Sequence, residues 1–517
     1  MTDDDWKGRI ISSPINRLAL RDIKVGHVRL FDTTLRDGIQ APGIVLSTDD
    51  KVSLAKSIGE LGMDSMEVGF PASGDSEKSV IRNIVGLGLR SKLYGLARCV
   101  RSDIDDVIDC SLKYIHLFIA TSDVHLEYKL KKTREQVIDA VKDAVGYASS
   151  KGLEIMFSCE DATRTDIDYL KSVYRAAVEA GTHIINIPDT VGIAVPRAMF
   201  DLVKLLKEEF NVPVSVHCHN DMGLAVSNSL AAVEAGAEII HTCINGIGER
   251  TGNTSSEEVA VCLSVNYDID CLNMNRIGSV SRMVSRYVGF PIPNNKPVVG
   301  RNAFAHESGI HVHGVMNNSS TYEPYPPEMV GMDRSITIGK YSGEHSVKSR
   351  LERLNIDFPD SLMEQLMSNI KAIAFTGKEI NDLELAAIAE NTMWKGRTSD
   401  KVSMKEFVVV TGKHVTPTAT VTVVVNGETR TRSAIGIGPV DAAYNAIFEL
   451  FDGAYDVVGF RLEAITGGSD SLCEVTIMIG NRNKNGRISV GKSVGLDIVD
   501  TSADAIMEAI NRDYSSE

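Results

Sequence analysis

His217 and His219 stand at i and i+2 in Val214-Ser215-Val216-His217-Cys218-His219-Asn220-Asp221. The run that precedes them is apolar and β-branched, so it reads as a buried strand. Strand side chains alternate faces, which sends both imidazoles to one side and Cys218 to the other. Two such imidazoles at a strand end are either half of a metal site or a pair of hydrogen-bonded structural histidines. What the other strands bring to the same place decides between these readings.

Those strands follow one rhythm. From His27 to about Arg250 a strand–helix alternation repeats eight times, with strands expected at His27–Leu35, Ser65–Phe70, Leu93–Cys99, Tyr114–Ser122, Glu154–Ala162, His183–Thr190, Val214–Asp221 and Glu238–Asn245. Helix-period segments such as Asp49–Leu61, Thr133–Lys151, Asp166–Ala180, Pro196–Phe210 and Leu224–Ala235 lie between them, several closed by Gly62, Gly152, Gly181 or Gly236. Eight such units predict a (β/α)8 TIM barrel, with an open doubly wound sheet as the alternative. The expected organisation is a lead-in (1–25), the barrel (26–290), helical linker subdomains (291–403) and a C-terminal α+β domain (404–517).

In that last domain the pattern repeats. Strands at Phe407–Asn426 and Thr431–Ala434 precede a helix at Val440–Phe451; strands at Tyr455–Ile465 and Leu472–Gly480 and a turn-rich stretch precede a helix at Ser502–Asn511. This reads as two βββα repeats. Gly436-Ile437-Gly438-Pro439, which leads into the helix of the first repeat, reads as a tight turn into a helix N-terminus rather than a phosphate loop.

A barrel places its active site at the C-terminal strand ends, and here those ends are polar on strand after strand. Asp37 follows the first strand and Glu67 ends the second. His116 lies on the fourth, Ser158 and Glu160 on the fifth, Asn186 and Thr190 on the sixth, and Asn253 follows the eighth. Asp37, His217 and His219, with an amide oxygen available from Asn253, form a mixed oxygen and nitrogen set suited to a divalent ion with open positions. Arg36 is a fork for a substrate carboxylate, and Glu67, Glu160 and Thr190 remain to orient substrate and share protons.

The net charge of −15 argues against a general nucleic-acid or anionic-membrane binder, which needs a basic face. Eight scattered cysteines without a Cys-x-x-Cys pair read as reduced thiols. No run approaches the ~20 apolar residues of a membrane span. The acidic start Met1-Thr2-Asp3-Asp4-Asp5 is unlike a signal peptide. The expected compartment is the cytoplasm.

Asp32-Thr33-Thr34-Leu35-Arg36-Asp37-Gly38, His217-Cys218-His219-Asn220-Asp221 and Gly248-Glu249-Arg250-Thr251-Gly252-Asn253 together resemble the DRE-TIM metallolyase superfamily. The resemblance is to its branch of 2-isopropylmalate, citramalate and homocitrate synthases. Phe304–His311, Thr321–Pro324 and Gly339–Gly343 resemble that branch's linker, and the C-terminal repeat its leucine-binding regulatory domain. The resemblance therefore covers nearly the whole chain.

It implies a Claisen-type condensation of acetyl-CoA with a 2-oxo acid, then thioester hydrolysis. A divalent metal (Mg, Mn or Zn) would be held by Asp37, His217, His219 and Asn253. Arg36 would stabilise the alkoxide, Thr190 would bind the carboxylate, and Glu160, His311 and Tyr322 would handle protons. His311 and Tyr322 are then expected to act across a homodimer. His116, Ser158 and Asn186 match the isopropylmalate type, whose small serine leaves room for the isopropyl group of 2-oxoisovalerate; pyruvate, the citramalate acceptor, is the alternative. Leucine is the expected inhibitor, bound near Gly467-Gly468-Ser469-Asp470. Two positions depart from the branch: Ile39 stands where it usually has Glu, and His313 where it commonly has Asp.

Overall fold

The computed structural model describes residues 10, 13–336, 342–354, 356–374, 402–464, 473–484, 487–495 and 497–514, with six further positions between 380 and 393. It forms two compact units: residues 1–306 with 314–336, and residues 307–313 with 337–517. The stretch 291–403 divides between them.

Eight strands of the first unit close into a barrel in sequence order: β1 (Arg29–Asp32), β2 (Ser65–Glu67), β3 (Lys92–Arg98), β4 (Tyr114–Ala120), β5 (Glu154–Glu160), β6 (Ile184–Asp189), β7 (Val214–Cys218) and β8 (Ile239–Thr242). All pair in parallel, and β1 closes on β8 with Phe31 opposite His241. Four of these strands (β1, β2, β7 and β8) stop three residues before the expected ends, and the other four one or two. The polar tails, Thr33 to Asp37 among them, leave the ladder as the loops that carry the chemistry.

Helix boundaries follow local chemistry. Ser47 with Asp50 and Thr133 with Gln136 form capping boxes on helices Thr48–Leu61 and Arg134–Ser150. Gly62 and Gly181 end their helices at φ +100° and +114°, where a side chain would be strained. The inner helix faces pack on outward strand residues such as Ile115, Phe157, Val216 and Cys218 to make the main core. Cys218 thus lies between strand and helix, on the opposite side of β7 from the imidazoles.

The second unit holds the repeat, with two corrections. Residues 407–426 are not one strand: Val402–Gly412 and Val415–Val425 form a hairpin that turns at Lys413-His414, with His414 at φ +66°. The turn lacks Gly or Asn, the usual signal, unlike the next hairpin at Asn426-Gly427 (φ +50° and +86°). The turn-rich stretch before the last helix contains a strand, Arg487–Gly495, paired along Cys473–Asn481. Its glycines disguise it, yet Gly491 is needed, because a Cβ there would stand 1.8 Å from the Ala505 carbonyl oxygen. Each copy is therefore three antiparallel strands and a helix. Alternate residues of the central strands (Val421, Val423; Val475, Ile477) pack with helices Pro439–Glu449 and Ile498–Tyr514 in one apolar core.

Candidate active site and metal centre

Period-2 alternation decides which side chains enter the barrel. Phe31, Tyr94, Met156, Ile184 and Ile239 form an apolar floor. Two residues further along come Leu96, His116, Ser158, Asn186, His217 and His241, and beyond these Phe118, Glu160, Pro188 and His219. Above the floor a cavity of about 300 Å³ is walled by Arg36, Asp37, Leu96, His116, Ser158, Glu160, Asn186, Thr190 and the β7 histidines. A larger hollow outside the barrel, between the loops after β5 and β6, is mainly apolar. Among the described residues, the ligating cluster Asp37, His217 and His219 belongs to the barrel cavity.

The His217 and His219 Nε2 atoms are 3.3 Å apart, and Asp37 Oδ2 is 3.7 and 4.0 Å from them. Atoms each about 2.1 Å from one ion, at right angles, would be about 3 Å apart, so this set needs only a small contraction to hold one. Its electrostatics fit as well. Burial, reinforced by His219 and opposed by Asp37, pushes His217 down to about 3, and burial also lowers His219. Both imidazoles are therefore neutral ligands at pH 7. Burial would raise Asp37, but the Arg36 guanidinium, with the hydrogen bond from Asn253, holds it well below the usual carboxylate range.

Asn253 donates its amide Nδ2 to Asp37 Oδ1 (2.7 Å) and to the Ile247 carbonyl (3.2 Å), leaving its own Oδ1 buried and unpartnered. In this orientation it supports Asp37, and the amide oxygen expected as a ligand is the orphan. Gly248, at φ +155°, makes the contact possible: a Cβ there would lie 2.1 Å from Asn253 Nδ2 and 3.0 Å from Asp37 Oδ1.

Opposite the ligands runs a hydrogen-bonded chain. Arg36 donates through Nε to Glu67 and through Nη1 to Asp37. The other Glu67 oxygen meets His116 Nδ1 at 2.7 Å, His116 Nε2 meets the Ser158 hydroxyl at 2.6 Å, and Asn186 Nδ2 donates to that hydroxyl at 2.8 Å. Burial raises Glu67, yet Arg36 and then His116 pull it down to about 2, so it stays ionised. Glu67 is fully buried behind Arg36 and His116, away from the cavity wall where a substrate-orienting role was expected. Its place is to hold the two groups that do face the cavity.

The Thr190 hydroxyl accepts the Asp161 N–H at 2.9 Å, which leaves its own proton to donate. His311 is exposed on helix Gly309–Asn317 in the second unit. Tyr322, 44% exposed, belongs to the first. His313 is also exposed. Gly467, Gly468, Ser469 and Asp470 lie outside the described residues.

His241 escaped the sequence reading. His241 on β8 is buried, stacks on Phe31 (4.1 Å, 10°) and meets the rings of His116 and His217 edge-on at 5.5 and 5.3 Å. The period-2 alternation from Ile239 was the available signal.

Comparison with known proteins covers nearly the whole chain. The HMGL-like family matches residues 27–284, the homocitrate synthase post-HMGL domain-like family residues 298–378, and the LeuA allosteric (dimerisation) domain residues 379–514. A 2-isopropylmalate synthase of Methanocaldococcus jannaschii is 44% identical over 512 residues, 98% of each chain. A probable 2-isopropylmalate synthase of Methanopyrus kandleri is 44% identical over 94% of this chain and 98% of its own. The (R)-citramalate synthase of M. jannaschii is 41% identical over 94% of this chain and 99% of its own. With a closed barrel, a buried two-histidine carboxylate cluster and a duplicated C-terminal fold, the chain belongs to the family of 2-isopropylmalate and citramalate synthases.

Proposed function

We propose that the protein condenses acetyl-CoA with 2-oxoisovalerate and hydrolyses the thioester, releasing 2-isopropylmalate and CoA, the first committed step of leucine biosynthesis. The observation that supports this reading is the pairing, across one cavity, of the Asp37–His217–His219 ligand set with the Arg36 to Asn186 chain. A divalent ion held by that set supplies a Lewis acid for the keto group. Magnesium, manganese and zinc are the ions to test, and the two imidazoles favour the last two.

The chain's own residues do the rest. Arg36, with Nε and Nη1 committed to carboxylates, has Nη2 left to donate to the oxygen that gains charge as the new C–C bond forms. Thr190 gives its free hydroxyl proton to the substrate carboxylate. Leu96, Phe118 and Pro188 offer an apolar wall to the isopropyl group beside the small Ser158. Glu160 takes the acetyl methyl proton. His311 and Tyr322, supplied by a second copy in a homodimer, serve the hydrolytic half, and leucine bound to the C-terminal repeats inhibits. The match to a LeuA allosteric (dimerisation) domain supports the last two points. Among the described residues no helix is long and apolar enough to cross a membrane, and all eight cysteines are free, which agrees with a cytoplasmic enzyme.

The test is CoA thiol release with each divalent ion and a panel of 2-oxo acids. The expected result is highest kcat/KM with 2-oxoisovalerate, and lower but measurable turnover of 2-oxobutyrate and pyruvate, since a pocket separates methylene homologues by only about 10- to 200-fold. No release with any oxo acid rejects the proposal. A preference for pyruvate establishes the citramalate reading, which the 41% identity to the archaeal citramalate synthase keeps in view.

A further inference from the structure

The two oxygens of Glu160 are in different states. Oε1 accepts a hydrogen bond from the Lys129 ammonium at 2.6 Å, whereas Oε2 is buried and accepts none. The residue stands at the cavity wall, and its carbonyl is pinned by the N–H and the hydroxyl of Thr121, at 3.1 and 3.3 Å. A buried acceptor without a donor is rare and calls for an explanation. Beside a cavity, the natural one is a donor that arrives with the ligand.

Lys129 reaches Glu160 from an irregular element. Leu126–Leu130 is a single π-helical turn, closed by Lys131 at φ +53°. Such turns are uncommon and occur often at functional sites, and Lys129 lies within this one. Lys129 is 48% exposed, so its ion pair adds little to the stability of the fold. What the pair does secure is the orientation of one carboxylate.

We propose that Lys129 is a positioning residue for the condensation: by holding Oε1 it turns the uncommitted Oε2 of Glu160 into the acceptor for the acetyl methyl proton. The inference rests on the synthase reading given above. In the step, a methyl C–H bond breaks, the proton passes to Glu160, and the electron pair stays on carbon as the enolate. That carbon then bonds to the keto carbon as the C=O π bond opens and its electron pair moves to oxygen, giving the alkoxide that Arg36 faces, and no external oxidant or reductant is needed.

The experiment compares the full-length protein with Lys129→Met and Lys129→Arg, using acetyl-CoA and its methyl-trideuterated form. Lys129→Met is expected to lower kcat by about 10- to 100-fold, within the range that a positioned base contributes. KM for 2-oxoisovalerate should stay within about twofold, and the deuterium isotope effect on kcat should rise as proton removal becomes slower. Lys129→Arg should restore most of both, with all three proteins melting together. Unchanged kcat and isotope effect in Lys129→Met overturn the proposal. So does a loss that appears only in KM for the oxo acid. A wild-type protein that releases no CoA rejects the synthase reading, and the positioning role with it.

Discussion

Two neutral imidazoles and a carboxylate converging in a buried cavity present lone pairs that attract a cation, so each ligand should matter mainly through the ion. His217→Ala is expected to lose bound metal, measured by elemental analysis and by titration calorimetry with Mn²⁺, and to lose turnover with it. Retention of both would remove the centre from the chemistry. A second buried group reports on the loop that carries Arg36 and Asp37. Asp32 accepts from the Thr34 N–H at 3.0 Å and the Thr34 hydroxyl at 2.7 Å, and that hydroxyl accepts the Ile244 N–H at 2.9 Å. Burial pushes its carboxyl from the ordinary 3.8 up to about 7, despite those bonds from Thr34. A carboxyl that binds its proton better folded than unfolded contributes stability that is full below pH ~4 and lost as pH rises to ~7. Asp32→Asn, always neutral, should therefore lose less melting temperature than the wild type between pH 5 and pH 8. Parallel losses in thermal melts would show that Asp32 titrates normally.

At the scale of elements, the loop after β8 is shaped around the ligands, and Gly248 is where that shape is most exacting. Gly248→Ala would force a methyl group onto the Asn253 amide and against Asp37. It should weaken Mn²⁺ binding by about 10- to 100-fold, the range typical for disturbed support of a metal ligand, with the circular dichroism spectrum unchanged. Wild-type affinity would mean that Asn253 does not support the centre. The β8 loop also marks what could be read from residues alone. The barrel was legible because eight buried strands, each closed by a turn and followed by a helix period, leave few other folds. Asp37, His217 and His219 were legible because alternation sends both imidazoles inward. Glu67, in contrast, looked like a substrate group, since a charged strand end is normally solvated, and only the packed barrel shows it buried between Arg36 and His116. Lys129 could not be found in sequence because a π-helical turn has no compositional signal. The Lys413-His414 hairpin was missed for the same reason, its left-handed residue being a histidine.

At the scale of the whole molecule, the C-terminal repeats share a core that, among the described residues, contains none before Val402. A fragment starting near residue 400 should therefore fold alone, with a cooperative urea transition and the mixed α/β circular dichroism of the intact domain. A molten fragment would show that this core needs the rest of the chain. The barrel has the opposite property. Its seam joins β1 to β8, so the ladder is incomplete until Thr242 is in place. Asp37 follows the first strand, the histidines belong to the seventh and the supporting Asn253 follows the eighth. A ribosome-bound chain cannot close the ladder while its last strand is unmade, so until then it offers cellular metal the His217–His219 pair without the closed seam that brings Asp37 and Asn253 to it. Topology would in this way order completion of the metal site after barrel closure, and an ion held by Asp37, His217 and His219 would also clasp the seam.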